Sequence, residues 1–273
     1  MKNLFRMMAV LALCVLAFCG CENNDGKTFT VGFDAGFPPY GFKDAKTGEY
    51  RGFDLDLAEE VCKRNGWTLV KKPIDWPSKD SELDAGTIDC IWNGFTINEE
   101  RKDKYTWTEP YVRNFQQVLV KKDSGITKLA DLRGKVIVSQ DGSSGASALN
   151  DFIKEQKEKD ATFSIKELKL VPDYNTANTI LESGAADAIA LDSAVAAGLE
   201  QKSNGKFVIL GENLVNEIYG VGFKKGNTKL RDTVQKTLKE MVKDGTCEKI
   251  RKKWATEEKA NGGAGIVFIL TAE

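Results

Sequence analysis

The feature that most limits the fold is a regular alternation of strand-like and helical segments that begins at Phe29. Short apolar runs are typical of strands, whereas apolar residues at helical spacing indicate amphipathic helices. The apolar runs predict strands over residues 29–33, 67–70, 88–92, 116–120, 135–139, 168–171, 186–191, 207–210 and 219–223. The helical spacing predicts helices over residues 54–65, 146–157, 176–183, 193–200, 228–244 and 247–254. Such alternation predicts an α/β fold with largely parallel sheets.

The composition excludes several classes of function. Among 273 residues, 39 Lys and Arg nearly balance 40 Asp and Glu, and the net charge of -1 gives no basic surplus for nucleic acid. The chain contains no histidine. This excludes Ser-His-Asp triads, Cys-His dyads, HExxH zinc sites and His-ligated haem. We therefore expect no metal and no cofactor, and any catalysis would depend on carboxylates, lysines or thiols.

The amino terminus has the pattern of an export signal. Two basic residues precede an apolar run over residues 7–18, which is shorter than the roughly 20 residues that span a membrane. The run ends at a small residue followed by Cys21 and a polar stretch, and this resembles a bacterial lipoprotein signal in which Cys21 is lipidated. The residues before the glycine depart from the usual lipoprotein pattern, so an ordinary export signal remains the alternative. We predict a signal peptide over residues 1–21 and a tether over residues 22–28.

The number and spacing of the cysteines do not predict a disulfide framework. Of six cysteines, two leave with the predicted signal and Cys21 takes the lipid, which leaves Cys62, Cys90 and Cys247. An odd number at wide spacing predicts neither a disulfide scaffold nor a metal site. Cys62 and Cys90 lie in apolar surroundings, where we expect them to be small buried side chains.

Two segments are unusual in composition. Residues 36–42 combine three aromatic residues, two prolines and two glycines directly after a strand, where open α/β sheets bind their ligands. An aromatic turn that only covers the core is the alternative. Residues 52–62 indicate an amphipathic helix with acidic residues in its first turn, which suits the helix dipole.

Residues 52–62 resemble the signature of the bacterial polar amino-acid-binding proteins that serve ABC importers. Other segments resemble the same family in order and spacing, namely residues 29–40, 88–111, 132–144, 185–192 and 219–254. The resemblance covers residues 29 to about 255. It implies a two-lobed periplasmic-binding-protein-like fold of type II, in which two crossing strands join α/β lobes that close on a ligand between them.

The resemblance also implies how the chain is divided. The crossings would lie near residues 111–115 and 215–219. Lobe 1 would be built from two segments, residues 29–111 and 219–257. Lobe 2 would be built from one segment, residues 112–218. Residues 258–273 would be a tail, and its apolar patch at 266–270 is too short to span a membrane and has no assigned role.

A free amino acid needs a cation and oriented donors for its carboxylate. The resemblance places Arg101 there, with Thr96 as a further donor and with Ser144 and the nearby Ser143 across the cleft at a helix amino terminus that favours anions. Thr96 and Glu99 also have the spacing of a capping box, so Thr96 could instead cap a short helix that carries Arg101.

The ammonium group of the ligand needs a carboxylate and carbonyl acceptors. Asp192 ends an apolar strand and matches the ammonium-binding aspartate of the family, with the backbone carbonyl of Gly94 beside it. The alternative is that Asp192 caps the helix at residues 193–200. Arg101 and Asp192 would lie on different lobes, so the ligand would favour the closed state.

Five further residues would select the side chain of the ligand: Asp34, Phe37, Trp76, Asn93 and Gln140. Phe37 and Trp76 match aromatic positions that sandwich the ligand side chain in related proteins, and Asp34 can accept from an amide or an ammonium. A glutamine-like neutral ligand, a basic ligand and a cystine-like ligand all remain open. The flanking aromatic residues Trp92 and Phe95 are expected in the core.

The resulting prediction is a monomeric, membrane-anchored lipoprotein of the cell envelope that faces the periplasm or the cell exterior. It would deliver a polar amino acid to an ABC permease and would not be an enzyme. Alternatives are a prephenate-dehydratase-like enzyme on the same fold, with Asp34, Glu99 or Glu100 as acid or base, and an amino-acid sensor domain. Without histidine, ligand binding should be nearly flat from about pH 6 to 8, unless the pKa of a cleft aspartate is raised far above about 4.

Overall fold

The computed structural model describes residues 26–260 and 265–273. The predicted signal peptide, with Cys21, therefore lies outside the described residues. The strands are β1 (Thr28–Phe33), β2 (Gly36–Phe37), β3 (Gly41–Lys43), β4 (Tyr50–Arg51), β5 (Thr68–Pro73), β6 (Cys90–Ile97), β7 (Tyr105–Trp107), β8 (Val112–Lys121), β9 (Val136–Gln140), β10 (Glu167–Val171), β11 (Ala188–Asp192), β12 (Phe207–Ile209), β13 (Val215–Lys224) and β14 (Val267–Phe268). The helices are α1 (Phe53–Asn65), α2 (Lys79–Asp84), α3 (Ser144–Lys159), α4 (Tyr174–Ser183), α5 (Ser193–Lys202), α6 (Thr228–Lys243) and α7 (Thr246–Ala260), with 3-10 turns at Trp76–Ser78 and Leu129–Leu132.

One large sheet runs through the molecule in the order β10-β9-β11-β8-β13-β6-β1-β5. The pairs β1–β5, β1–β6, β9–β10 and β9–β11 are parallel, as predicted, whereas β8 and β13 pair antiparallel with each other and with their outer neighbours. The sheet is therefore mixed rather than largely parallel. The reason is that the chain leaves one half of the molecule on β8 and returns on β13, so the two neighbours run in opposite directions.

The fold has two lobes joined by these two strands. β8 and β13 pair from Val112 opposite Tyr219 to Gln116 opposite Val215, close to where the crossings were predicted. Strands β5, β1 and β6 lie on one side of this pair, and β11, β9 and β10 lie on the other. We call the side with β1 lobe 1 and the side with β9 lobe 2. Within the described residues, no helix is long and apolar enough to cross a bilayer.

Helix α1 shows how the sequence fixes local structure beside the cleft. It ends at Asn65, and the following Gly66 has a left-handed conformation with φ of 67°, as expected for a helix carboxyl cap. It begins after Gly52, where an added Cβ would lie 2.0 Å from the backbone oxygen of Tyr40. Its apolar side chains are buried, and so is the carboxylate of Asp54 in the first turn. A buried acid at this position needs polar partners.

The core contains the residues that the sequence placed there. Trp92 and Phe95 are fully buried. The remaining cysteines are free and buried, which confirms the expectation for Cys62 and Cys90. Burial raises the pKa of the Cys62 thiol to about 12, so this thiol is unreactive near neutral pH.

The carboxyl-terminal segment differs from its prediction in two ways. Helix α7 continues past the predicted end at Trp254 to Ala260, because the Lys-, Glu- and Ala-rich sequence there favours helix. The apolar patch forms β14, which pairs antiparallel with the start of β8. Ile266 and Leu270 are buried in the core, and the Phe268 ring contacts the Phe53 ring at 6.2 Å. The patch therefore completes the core beside the crossing.

Candidate ligand-binding site

A single cavity between the lobes is bordered by every residue that the sequence proposed for ligand binding. The space that these side chains border is about 270 Å³, a volume that includes open solvent at the mouth of the cavity. Its border consists of Asp34, Phe37, Trp76, Asn93, Gly94, Thr96, Arg101, Gln140, Ser143, Ser144 and Asp192. Although these positions span most of the chain, the fold brings them together.

The strand ends explain why these residues meet. Asp34 follows β1, Gln140 ends β9 and Asp192 ends β11, so all three lie at carboxyl ends of parallel strands. Asn93, Gly94 and Thr96 lie in the middle and second half of β6. Ser143 and Ser144 form the amino terminus of α3. Open α/β sheets bind ligands at this edge.

The two lobes are in direct contact across the cavity. The backbone oxygen of Gly142 in lobe 2 accepts from Nη2 of Arg101 at 2.7 Å and from Nε1 of Trp76 at 3.2 Å, both in lobe 1. Nε2 of Gln140 donates to Oδ2 of Asp34 at 2.6 Å. The structure therefore holds the lobes in a closed arrangement around the cavity.

Arg101 supplies a buried positive charge to the cavity. Its guanidinium donates to backbone oxygens, lies 5.0 Å from the centre of the Phe95 ring, and makes no ion pair with any carboxylate in the described part of the chain. The amino terminus of α3 faces it from lobe 2, where Ser143 caps the helix by accepting from the Ala146 N–H at 3.1 Å. Both features favour an anion.

The structure contradicts the alternative role of Thr96 as a helix cap. Thr96 lies within β6, because this strand pairs with β13 as far as Ile97. Residues 99–104 form turns rather than a helix, and the side chain of Asn98 accepts from the Arg101 N–H at 3.0 Å. The Thr96 hydroxyl instead lies 3.0 Å from the Ser144 hydroxyl across the cleft.

Asp192 supplies a buried negative charge. Its carboxylate accepts from the amides of Asn114 at 2.8 Å and Gln116 at 2.7 Å, and from the hydroxyls of Tyr219 at 2.6 Å and Tyr174 at 3.1 Å. Burial, together with the neighbouring charge of Glu217, raises the pKa of Asp192 to about 7.

The side chain of Asp192 does not cap α5, which contradicts the second structural alternative. Asp192 stands at the position before the helix, but its carboxylate makes no capping hydrogen bond there. The four donors from Asn114, Gln116, Tyr174 and Tyr219 turn it toward the cleft instead.

Several functional neighbours were missed by sequence reasoning. Asn114, Gln116 and Glu217 lie on the two crossing strands and are buried. Asn114 and Gln116 alternate with more exposed residues on β8, so they occupy core-facing positions of a strand. Polar residues at such positions were the available signal, because buried polar groups need partners.

Asp54 and Lys79 were also missed. Asp54 accepts from the Gly94 N–H at 2.6 Å and from the Tyr111 hydroxyl at 2.8 Å, and burial raises its pKa to about 7. It thereby fixes Gly94, whose φ is 56° and whose added Cβ would lie 2.8 Å from the Phe37 ring. The buried ammonium of Lys79 lies 5.5 Å from the centre of the Trp76 ring, and burial followed by the charge of Arg101 lowers its pKa.

The part of the cavity around Asp34 is acidic. Asp34 is buried and accepts from the Gly36 N–H at 2.7 Å and from the Gln140 amide. Burial raises the pKa of Asp34, and the charges of Asp173 and Asp75 raise it further. Over the described ranges, no lysine or arginine forms an ion pair with Asp34.

The aromatic residues of the cavity form part of larger clusters. The Phe37 ring lies 5.7 Å from the Tyr40 ring and 6.2 Å from the Tyr174 ring. Trp76 contacts Phe95 edge to face at 5.5 Å. The segment at residues 36–42 therefore both borders the cavity and packs into the core. It is at once part of the cavity wall and an aromatic turn that covers the core.

Within residues 26–260 and 265–273, no group of three or more cysteine, aspartate or glutamate side chains is arranged to hold a metal ion.

A two-lobed α/β fold with a polar cavity between its lobes is the architecture of solute-binding proteins. The sequence model of the bacterial extracellular solute-binding proteins, family 3, matches residues 29–257. The chain belongs to this family.

Individual relatives have similar sequences and folds. The L-cystine-binding protein TcyJ of Escherichia coli strain K12 is 31% identical, over 83% of this chain and 82% of its own. A substrate-binding protein of an ABC uptake transporter from Streptococcus pneumoniae, with bound histidine, is 33% identical with a TM-score of 0.77, over 87% of this chain and 94% of its own. An ancestral arginine-binding protein bound to arginine is 39% identical with a TM-score of 0.73, over 83% of this chain and 97% of its own.

Proposed function

We propose that the protein captures a polar L-amino acid between its lobes and delivers it to the permease of an ABC importer. The observation that carries this proposal is one cavity bordered by two buried and opposite charges. Among the described residues, Arg101 has no carboxylate partner and Asp192 has no cationic partner. The carboxylate and ammonium of a free amino acid would complete both, since buried charges require partners.

The residues divide by the group that they recognise. Arg101, with the amino terminus of α3 at Ser143 and Ser144, binds the carboxylate. Asp192 and the carbonyl oxygen of Gly94 bind the ammonium, with Thr96 between these two groups. Asp34, Phe37, Trp76, Asn93 and Gln140 surround the side chain. All of these assignments rest on the common cavity and on the chemistry of each group.

A basic side chain fits the acidic end of the cavity best. Asp34 is buried without a cationic partner in the described part of the chain, and Asp75 and Asp173 add negative charge nearby. A guanidinium between Phe37 and Trp76 would gain from stacking as well as from these charges. The similarity to an ancestral arginine-binding protein supports arginine or a related basic amino acid.

Movement between the lobes follows from the division of the chain. We infer that lobe 1 contains residues 29–111 and 219–257, that lobe 2 contains residues 112–218, and that β8 and β13 form the hinge. A monomer suffices, because one chain contributes both charged ends of the cavity. Ligand contacts made from both lobes favour the closed state.

Membrane attachment is the second part of the proposal. Cys21 would carry the lipid, and residues 22–28 would tether the binding domain near its permease. A Cys21→Ala variant should move from the membrane fraction to the soluble fraction while it still binds amino acid. Retention of this variant in the membrane would contradict the assignment of Cys21.

A melting screen tests the binding function. Mature protein, unfolded and refolded to remove any bound ligand, should melt at a higher temperature with arginine, ornithine or lysine than with neutral or acidic amino acids. A melting temperature that does not change with any common amino acid or with cystine would refute amino-acid binding. Incubation with prephenate should yield no phenylpyruvate, whereas its formation would support the enzymatic alternative.

A further inference from the structure

Glu217 is a buried acid behind the binding cavity. It lies on β13 directly opposite Asn114 of β8, at the crossing between the lobes. Only 8% of it is exposed, and it does not border the cavity. Any influence of Glu217 on a ligand therefore passes through other side chains.

Four side chains donate to one oxygen of Glu217. Oε2 accepts from the Gln116 amide at 2.9 Å, from the Asn114 amide at 3.1 Å, from the Thr96 hydroxyl at 3.1 Å and from the Ser144 hydroxyl at 3.3 Å. Thr96 belongs to lobe 1 and Ser144 to lobe 2, whereas the two amides belong to the crossing strand. Glu217 thus contacts both lobes and the hinge.

The same two amides also bind Asp192. Nδ2 of Asn114 and Nε2 of Gln116 each donate to both Glu217 and Asp192. Two carboxylates therefore share one pair of donors, and no lysine or arginine in the described residues forms an ion pair with either. Burying two such charges is unfavourable until a cation joins them.

The directions of the hydroxyl protons decide whether Thr96 and Ser144 face the cavity as hydrogen-bond donors or as acceptors. Each hydroxyl has one proton. The Thr96 proton is directed to Glu217 or to the Ser144 oxygen, and the Ser144 proton is directed to Glu217 or to the Thr96 oxygen. With both protons used in this way, Thr96 presents oxygen lone pairs to the cavity, which suit an ammonium and not a carboxylate.

We propose that Glu217 is a positioning residue that makes this end of the cavity selective for an ammonium group and couples ammonium binding to lobe closure. It does so by orienting the hydroxyls of Thr96 and Ser144 as acceptors and by adding negative charge behind Asp192. This inference rests on the proposed amino-acid-binding function, which it deepens by naming what distinguishes an amino acid from a 2-hydroxy acid. The carboxylate of the ligand is then held by Arg101 and the amino terminus of α3, without the hydroxyl protons.

A change of one functional group tests the inference. Wild-type protein and Glu217→Gln are titrated calorimetrically with L-arginine and with its 2-hydroxy analogue, or with L-glutamine and its analogue if glutamine binds wild type more tightly. The wild type should prefer the amino acid strongly. In Glu217→Gln the preference should fall by about tenfold or more, because the amino acid loses affinity and the hydroxy acid does not.

Controls separate this role from a merely structural one. Glu155→Gln removes an exposed acid from α3 and should keep the wild-type preference. Thr96→Val removes an acceptor without a change of shape and should lower the preference as Glu217→Gln does. An unchanged preference in Glu217→Gln, or equal losses for both ligands with a lower melting temperature of the free protein, would overturn the proposal. Failure of the wild type to bind any amino acid would instead refute the proposed function itself.

Discussion

The two charged ends of the cavity are built in different ways. The positive end depends on one residue, Arg101, which is supported by backbone carbonyl groups and the Phe95 ring. The negative end is a network in which Asp192 shares donors with Glu217. A guanidinium keeps its charge over the whole range of pH in which proteins are stable, whereas burial raises the pKa of Asp192 to about 7. The positive end is therefore permanent and the negative end is conditional.

The largest effect should come from removing the permanent charge. Arg101→Ala should weaken the binding of every amino acid by at least about 100-fold, because the ligand carboxylate would remain buried without a cation. Calorimetric titration measures the loss. Arg113→Ala, which removes an exposed arginine on β8, is the matched control and should bind normally. Unchanged affinity in Arg101→Ala would show that the carboxylate binds elsewhere.

The conditional charge should make binding depend on pH. The ammonium of the ligand requires ionised Asp192, and the ionised fraction falls as the pH drops through the pKa of about 7. Affinity should therefore fall about tenfold from pH 8 to pH 6. The sequence predicted nearly flat binding over this range unless a cleft aspartate had a raised pKa, and Asp192 meets that condition.

The variant Asp192→Asn separates this effect from other titrations. It should bind amino acid more weakly than wild type at pH 8 but with little change down to pH 6. If the wild-type affinity stays constant between pH 6 and pH 8, the charge of the negative end does not depend on pH in this range, and the proposed difference between the two ends is wrong.

The side-chain end should respond with a change in preference rather than a loss of binding. Asp34→Asn keeps the shape and removes the charge, and its single amide oxygen can accept from either Gly36 or Gln140. We expect arginine to lose about tenfold in affinity while glutamine changes little, because only a basic side chain requires that charge. Competition titrations measure both ligands. Equal effects on the two would show that Asp34 supports the fold rather than selects the ligand.

The smallest effect should be on the stability of the free protein. Asp192 and Asp54 each have a pKa of about 7 in the folded protein, against about 4 in the unfolded chain. Between about pH 5 and 7 the folded protein holds protons that the unfolded chain has released, so the free energy of unfolding falls as the pH rises.

Melting scans measure this slope. The melting temperature of ligand-free protein should be lower at pH 8 than at pH 5, and the difference should shrink in Asp54→Asn. Carboxylates with lowered pKa values, such as Asp44 at about 2, are ionised throughout this range and do not affect the comparison. A melting temperature that rises with pH would contradict the assignment.

The two ends also differ in how far the sequence revealed them. Arg101 and Asp192 lie in segments that resemble a known family, so the sequence around each residue was enough to predict it as a binding residue. A whole lobe separates Glu217 from Asn114 and Gln116 along the chain, and only the register of β8 against β13 brings Glu217 to them. Local patterns contain no information about that register, so the network behind Asp192 could not be derived from them.

The fold shows the same limit. Helix α1 and the nine predicted strands follow local periodicity, and the structure confirms them within a few residues, whereas the short strands β2, β3, β4 and β7 were not predicted. The mixed pairing of the sheet and the contact of β14 with β8 depend on distant segments. Asp54 is a further example, since its place in the first turn of α1 suggested only a favourable helix dipole. Its contact with Gly94 arises because α1 packs against β6.

The central claim is that the cavity recognises both charges of a free amino acid. Calorimetric titration of refolded mature protein with L-arginine, agmatine and the 2-hydroxy analogue of arginine tests it most directly, because the three ligands share one side chain. Agmatine lacks the carboxylate that Arg101 would bind, and the hydroxy acid lacks the ammonium that Asp192 would bind. Binding of L-arginine with at least about 100-fold weaker binding of both analogues would support the claim. Agmatine or the hydroxy acid binding as tightly as L-arginine would contradict it.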